Sequence, residues 1–314
     1  MSDPYLKRAL ELAERGRGTT HPNPTVGAVV VSSGGGSILG EGWHERAGEP
    51  HAEVHALRAA GGRARGATLY VTLEPCARFG RTPPCVDAIL NAGVAKVIVG
   101  VEDPVQEGVG RLRAAGVEVE VVNDWDARVA TEAWRWWAVH HRPFVTYKVA
   151  ATLDGRVTIP GERWVSGEAA RRFVHELRAQ SDAVAVGMGT VRADDPKLDA
   201  RDVPVVRQPR RLAFGLGPLP AGSSLELRSS ALEEEMRALG AEGVQSLLLE
   251  GGPTLATAFL ERDLIEKLLV FVAPRLSGAG PSLLGDFAPS RRLDHVTLRP
   301  VGDDVLFEAY LHGP

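Results

Sequence analysis

From Val26 to Tyr310 the sequence alternates short apolar runs with segments of helical period, and this alternation most restricts its fold. Residues 26–31 and 38–42 read as paired strands joined across the turn Gly34-Gly35-Gly36, and 68–73, 96–101 and 117–122 read as three more. Helical spacing covers 5–15, 52–60, 85–91 and 111–115, the third closed by Gly93. Residues 126–139 read as one aromatic helix, whose Trp134, Trp136 and Trp137 are expected to pack between domains rather than form a stacking platform. After His140-His141-Arg142-Pro143 a second series begins, with strands at 144–150, 183–186, 244–249, 267–272 and 305–310. Its helices fall at 168–178, 231–239 and 254–260. Such a chain buries sheets between helical layers, the α/β class. At 314 residues it is too long for one typical domain, so two are expected, 1–142 and 143–314.

Composition narrows the class of partner. A formal net charge of −4 gives no electrostatic reason to expect nucleic acid. No apolar run approaches the ~20 residues needed to span a bilayer. Met1-Ser2-Asp3-Pro4 leads into an amphipathic stretch rather than an apolar signal core. Cys76 and Cys85 are the two cysteines, too few for a disulfide scaffold in a chain of this length. The expectation is a cytoplasmic protein whose reduced thiols can bind metal, with a small-molecule substrate and neither nucleic-acid nor membrane partners.

Those cysteines complete a motif. His51-Ala-Glu53 opens one helix, Pro75-Cys76 follows a strand, and Pro83-Pro84-Cys85 opens the next helix. One imidazole and two thiolates leave a fourth tetrahedral position open, the pattern of a catalytic zinc. Helix N-termini favour the thiolate forms. Glu53 stands two residues from His51, able to reach a metal-activated water without ligating the ion, and is the candidate proton carrier. A His-x-Glu pair followed by Pro-Cys and a second Cys is the arrangement of zinc deaminases. His55, one turn beyond His51, is expected to be a packing residue because the ligand set is complete without it.

Longer runs extend the pattern. His21-Pro-Asn-Pro-Thr-Val-Gly-Ala-Val-Val30, Gly48-Glu-Pro-His-Ala-Glu-Val-His-Ala56 and Leu73-Glu-Pro-Cys-Ala-Arg-Phe-Gly-Arg-Thr-Pro-Pro-Cys85 resemble the bifunctional deaminase–reductase family of riboflavin biosynthesis. The insertion at 77–84 is longer than in deaminases of cytidine or tRNA bases. The second half resembles the same family through Arg142-Pro-Phe-Val145, Ala151-Thr-Leu-Asp-Gly-Arg156, Leu177-Arg-Ala-Gln-Ser-Asp182, Gly189-Thr-Val-Arg-Ala-Asp-Asp-Pro196 and Leu249-Glu-Gly-Gly-Pro-Thr254.

The resemblance implies a cytidine-deaminase-like α/β/α domain followed by a dihydrofolate-reductase-like α/β domain. It implies zinc and NADPH as cofactors, and two consecutive reactions. A diaminopyrimidinone ribotide loses its 2-amino group by hydrolysis, and NADPH then reduces the opened ribose to a ribityl chain. By motif, Asn23 and His44 would touch the pyrimidine. Ala150, Trp164, Thr190, Asp194 and the turn Gly251-Gly252 would line the NADPH site, and Arg178, Leu198, Arg201 and Glu250 would face the ribotide. A homo-oligomer, dimer or tetramer, is expected.

Several positions depart from the family pattern. Ala77-Arg78 replaces Ser-His, and Asp103-Pro-Val-Gln106 shortens an Asp-Pro-Asn-Pro loop. Glu162 stands where a substrate-binding serine is usual, and a strand and part of a helix are expected to be missing between Leu216 and Val244. The departures keep open an alternative in which the C-terminal domain is a degenerate dimerisation module. An RNA-binding base editor, suggested by the tryptophans and arginines, is disfavoured by the net charge and the long insertion.

Overall fold

The computed structural model describes residues 3–314; Met1 and Ser2, where the reading of the N-terminus begins, lie outside the described residues. The chain divides into two compact units, Met1–Val139 with Pro314, and His140–Gly313. Among the described residues, no helix is long and apolar enough to cross a membrane.

The first unit runs α1 (Pro4–Ala13), β1 (Gly27–Val31), β2 (Ile38–Trp43), α2 (Ala52–Ala60), β3 (Thr68–Leu73), α3 (Cys85–Ala92), β4 (Lys96–Val101), α4 (Gly108–Ala114), β5 (Glu118–Val121), α5 (Trp125–Ala130) and α6 (Glu132–His140). Its five strands form one sheet in the order β2-β1-β3-β4-β5. Strand β1 is antiparallel to β2 and β3, whereas β3, β4 and β5 are parallel. Apolar residues fill both faces, as a sheet covered twice requires. Ala28, Val30, Leu69, Val71, Val97 and Val99 pack against α2 and α3. Val29, Val31, Tyr70 and Ile98, one residue out of phase, pack against α1. Each fully buried valine or leucine contributes roughly 1.5–3 kcal/mol. This is the α/β/α layering expected.

Two glycines of β2 hold α2 close to the sheet. A Cβ at Gly40 would overlap the Ala56 carbonyl, and one at Gly42 would overlap that of Ala52. The close approach fixes the helix whose first turn carries His51 and Glu53.

The aromatic segment is two helices rather than one. It breaks at Thr131, whose hydroxyl donates to the Ala127 carbonyl at 2.9 Å, a local side-chain bond that competes with helix continuation. Trp134 packs on Leu73, Val101 and Ala127 within the first unit.

The second unit runs β6 (Phe144–Thr152), α7 (Glu168–Gln180), β7 (Ala183–Gly187), α8 (Met188–Asp194), β8 (Arg210–Phe214), β9 (Glu226–Arg228), α9 (Leu232–Ala241), β10 (Ser246–Leu249), α10 (Pro253–Glu261), β11 (Lys267–Ala273), β12 (Asp294–Val301) and β13 (Asp304–Tyr310). Its eight strands form a sheet in the order β12-β13-β11-β6-β10-β7-β8-β9. Pairing is parallel from β11 through β9 and antiparallel from β11 to β13 and β12. One face packs on α9 and α10 through Met236, Leu239, Ala256 and Phe259. The other packs on α7 and α8 in two clusters, through Ala170 and Val174 and through Met188 and Val191.

The strand expected to be missing after Leu216 is present as β9, parallel to β8 with Leu212 opposite Glu226. It is a three-residue edge strand whose sequence Glu-Leu-Arg carries no apolar run, so period alone cannot show it. Strand β12 also escapes a sequence reading, because its side chains are exposed and its run contains Pro300.

Candidate active sites

The first site is built where β3, β4 and the N-termini of α2 and α3 converge. His51 is the N-cap residue of α2. Cys76 lies three residues beyond the end of β3, and Cys85 is the first residue of α3. The backbone N–H of Cys85 donates to the Cys76 sulfur at 3.2 Å, so the helix start faces that thiol. The Nδ1 of His51 lies 3.6 Å from Cys76 Sγ and 3.3 Å from Cys85 Sγ. All three ligand atoms lie within 4.8 Å of one another.

This set fits a tetrahedral zinc. Nitrogen and sulfur ligands ~2.1 and ~2.3 Å from such an ion stand ~3.6 Å apart. The hydrogen bond with Cys85 holds the Cys76 thiol down to about 4, with His51 adding to it against the opposing effect of burial. That same bond, reinforced by burial, pushes Cys85 up. His55 is not part of the cluster; it packs behind it, where a Cβ on Gly42 would meet its own Cβ.

Glu53 is 3 % exposed, and its Oε2 has no hydrogen-bond partner. Burial pushes its carboxyl up, against the opposing pull of His51. Asn23 and His44 stand together on the wall, the Asn23 amide nitrogen 3.0 Å from His44 Nε2. His44 Nδ1 lies 3.2 Å from the Pro50 carbonyl. Burial pushes His44 down, so the ring is neutral, donating from Nδ1 and accepting from Asn23 at Nε2.

Asn23, His44, His51, Glu53 and Cys76 line a cavity of about 320 Å³ that also holds Arg78, Phe79, Arg81, Thr82, Asp103, Gln106 and Trp134. Sequence reasoning gave Asp103, Gln106 and Trp134 no place here. Asp103 follows β4 as Glu74 follows β3, and both sit at carboxyl ends of adjacent parallel strands, where α/β sheets bind ligands. That rule is the signal that could have found them. Burial, reinforced by Glu74, pushes Asp103 up to about 6. The Gln106 side chain accepts from the Ala77 N–H at 3.1 Å, tying the altered loop to the insertion between the cysteines. Arg78 stands exposed at the rim.

The second site is a cavity of about 750 Å³ at the carboxyl end of β6 and β10. It brings together Ala150, Trp164, Thr190, Asp194, Gly251 and Gly252 with Arg178, Arg201 and Glu250. Leu198 does not line it; it is 2 % exposed and packs with Val184 and Val186. No residue between Asp202 and Glu250 is among the lining residues, so the altered segment lies outside this wall. Gly252 is the N-cap of α10, followed by Pro253, and the first-turn N–H groups of such a helix are open to a phosphate.

At the centre of this cavity is a buried charge cluster. Arg178 grips Glu250 with two bonds of 2.6 and 3.0 Å, and Lys148 Nζ lies 3.5 Å from the same carboxylate. Burial alone would push Glu250 up; Lys148 and Arg178 outweigh it and hold the carboxyl below its ordinary value. Lys148 was not singled out in the sequence. It follows Tyr147, which pairs in parallel register with Leu249, so it comes level with Glu250 across the sheet.

Comparison with known proteins agrees with this division. Residues 2–101 match the cytidine and deoxycytidylate deaminase zinc-binding region, and residues 143–215 and 223–307 match the RibD C-terminal domain. The riboflavin biosynthesis protein RibD of Aquifex aeolicus is 41 % identical over 89 % of this chain and 88 % of its own length. That of Escherichia coli is 39 % identical over 96 % and 97 %. Acinetobacter baumannii RibD superposes with a TM-score of 0.87 at 34 % identity, covering 98 % of this chain and 97 % of its own. A deaminase/reductase structure from Thermotoga maritima gives 0.85 at 33 % identity with the same coverage. With both family models matched in order and relatives of this similarity spanning nearly its whole length, the chain belongs to the RibD family of bifunctional deaminase/reductases of riboflavin biosynthesis.

Proposed function

We propose that residues 1–142 hydrolyse the 2-amino group of 2,5-diamino-6-(5-phosphoribosylamino)pyrimidin-4-one, and that residues 143–314 then reduce the ribosyl group of the uracil product with NADPH. The observation that carries the first half is the ligand triad with Glu53 buried beside it and Asn23–His44 on the same wall.

His51, Cys76 and Cys85 would hold zinc, which when bound lowers the pKa of water to ~7 and so supplies hydroxide at neutral pH. Asn23 and His44 orient the pyrimidine. Glu53 takes a proton from the attacking water and delivers it to the ring nitrogen, and then carries that water's second proton, from the new hydroxyl, to the departing amino group. The C–N bond breaks as the new carbonyl forms, and ammonia leaves. A carboxyl whose proton affinity is raised by burial suits both transfers.

In the second site, the Gly251-Gly252 turn, Thr190 and Asp194 would hold NADPH phosphates and ribose, with Ala150 and Trp164 beside the nicotinamide. When bound, NADPH supplies the hydride that the opened ribose receives at C1′. Arg178 and Arg201 bind the ribotide, and Glu250, fixed by Arg178 and Lys148, faces the reacting end. A buried carboxylate bonded to two cations at this cavity gives the second domain a built polar site, which a degenerate module does not need.

The deciding assay gives the purified chain the diaminopyrimidinone ribotide with and without NADPH, and follows ammonia and NADPH oxidation separately. Ammonia should appear in both reactions, and NADPH oxidation should follow it. Absence of ammonia sinks the deaminase assignment, and ammonia without NADPH oxidation sinks the reductase one.

For the expected homo-oligomer we propose a surface in the second unit. An apolar hollow of about 530 Å³ lies over β6, β11 and β13, edged by Leu153, Leu298 and Val305, which are 69 %, 65 % and 43 % exposed. Exposed apolar surface of this kind marks association sites. Light scattering should give a mass of two or four chains, and Leu298→Glu should lower it; a wild-type mass of one chain would remove the proposal.

A further inference from the structure

We propose that Thr82 is a positioning residue of the metal site: its hydroxyl accepts the Nε2 proton of His51 and so keeps Nδ1 free to ligate. The proposal rests on the zinc-deaminase reading and adds a residue which that reading does not use.

A neutral imidazole carries one proton on two nitrogens, and a metal takes the nitrogen that lacks it. Both sulfurs stand near Nδ1 of His51, at 3.6 and 3.3 Å, so Nδ1 is the ligating atom and the proton belongs on Nε2. Thr82 Oγ1 lies 3.5 Å from Nε2. Among the described residues, no other acceptor stands within hydrogen-bond distance of that nitrogen, and the Thr82 hydroxyl has no other partner. The flank of the ring is bounded separately. The His44 ring meets it edge to face, with centroids 5.0 Å apart, and His44 is itself tied to the Pro50 carbonyl.

The chain between Thr82 and Cys85 explains how one hydroxyl can hold its place. Thr82 precedes Pro83 and Pro84, so its backbone is confined to extended conformations and the next two φ angles are set by rings. Threonine is branched at Cβ, which restricts its rotamers. Thr82-Pro83-Pro84-Cys85 is therefore a short stiff strut that meets the imidazole twice, through Thr82 at Nε2 and through Cys85 at Nδ1. Pro84 is the N-cap of α3, which anchors one end of the strut. At the other end the Gly80 N–H donates to the Thr82 carbonyl at 3.2 Å and closes a turn.

The insertion 77–84 is flanked by a ligand on each side, Cys76 and Cys85. Through Thr82 it reaches the third ligand as well. A ligating histidine that donates its other N–H is held in one tautomer and one orientation, and losing the acceptor typically costs 10–100-fold in metal affinity or activity.

Competition with a chromophoric chelator measures the zinc Kd of the full chain without substrate. Thr82→Val keeps the branch and the volume but cannot accept a hydrogen bond, and its Kd should rise roughly 10–100-fold. Thr82→Ala should show the same rise. Thr82→Ser restores the hydroxyl and should stay within about threefold of wild type. With cobalt(II) in place of zinc, the visible bands report ligand orientation; they should shift in Thr82→Val and not in Thr82→Ser. An unchanged Kd in Thr82→Val overturns the proposal, as does a rise in Thr82→Ser equal to that in Thr82→Val. Thr82 also lines the cavity. A wild-type Kd with a raised KM for the diaminopyrimidinone ribotide would therefore set Thr82 against substrate rather than His51, and overturns the proposal too. If wild type binds neither zinc nor cobalt, the metal reading fails and the proposal with it. If wild type binds zinc and Thr82→Val binds it equally well, the proposal fails alone.

Discussion

Glu53→Gln is expected to abolish most ammonia release while leaving one zinc per chain. Glutamine keeps the shape of glutamate but cannot carry protons, and general acid–base groups contribute ~10²–10⁴-fold. Glu53 is not among the clustered ligand atoms, so metal content measured by atomic absorption should not change. Cys85→Ser should behave differently: zinc and ammonia release are lost together, because a catalytic site reduced to two strong ligands does not retain the ion. The two variants separate holding the metal from moving the proton. NADPH oxidation with the already deaminated ribotide should survive both substitutions, and should survive chelation. In metal-free protein Glu53→Gln should not lower the melting temperature, since it removes a buried carboxyl that lacks a partner for one oxygen. A Glu53→Gln enzyme that releases ammonia at the wild-type rate would remove Glu53 from the mechanism.

Glu250→Gln is expected to destabilise the second unit by roughly 3–5 kcal/mol at neutral pH, because it leaves two buried cations without their shared anion. For a unit of this size that corresponds to a melting shift of roughly 6–20 °C. The side chains of Arg178 and Glu250 are 14 % and 9 % exposed, so solvent screens the pair little. The sign of the pH dependence follows from the direction of the shift. Glu250 is held below its ordinary 4.5, so its contribution is fully present above that value and is lost as pH falls below it. The deficit of Glu250→Gln against wild type should therefore be constant from pH 7 to about 5 and shrink below pH 4.5, as the wild-type carboxylate also becomes neutral. Thermal unfolding of both proteins across that range measures it. Equal melting at pH 7 would mean that the cluster does not hold the site together.

Apart from β8, β9 and β12, the strands that build both sheets are legible because their apolar runs are short and bounded, and helices 52–60 and 254–260 are legible from period. Strands β9 and β12 are not, since edge strands with exposed side chains carry no period-two signal. Thr131 shows a different limit: a single hydroxyl bonding back to Ala127 splits a helix whose apolar pattern runs on across the break.

The sites divide in the same way. His51, Glu53, Cys76 and Cys85 are legible because metal chemistry demands particular side chains, and the segments carrying them are short. Asn23, His44 and most of the residues proposed to hold NADPH follow from resemblance. Trp134, Asp103 and Gln106 reach the first cavity only through the packing of α5, α6 and the strand ends. Lys148 meets Glu250 through a parallel register between strands separated by about a hundred residues, which no local pattern records. Leu198 carries a family motif yet is turned into the core. Glu162, which stands where the family has a substrate-binding serine, is held in a surface pair with Arg275. Sequence alone determined the chemistry of the metal site and the α/β class, because ligand identity and hydrophobic period are local. Tertiary structure decided which charges meet, because partners far apart in the chain are chosen by strand register and helix packing.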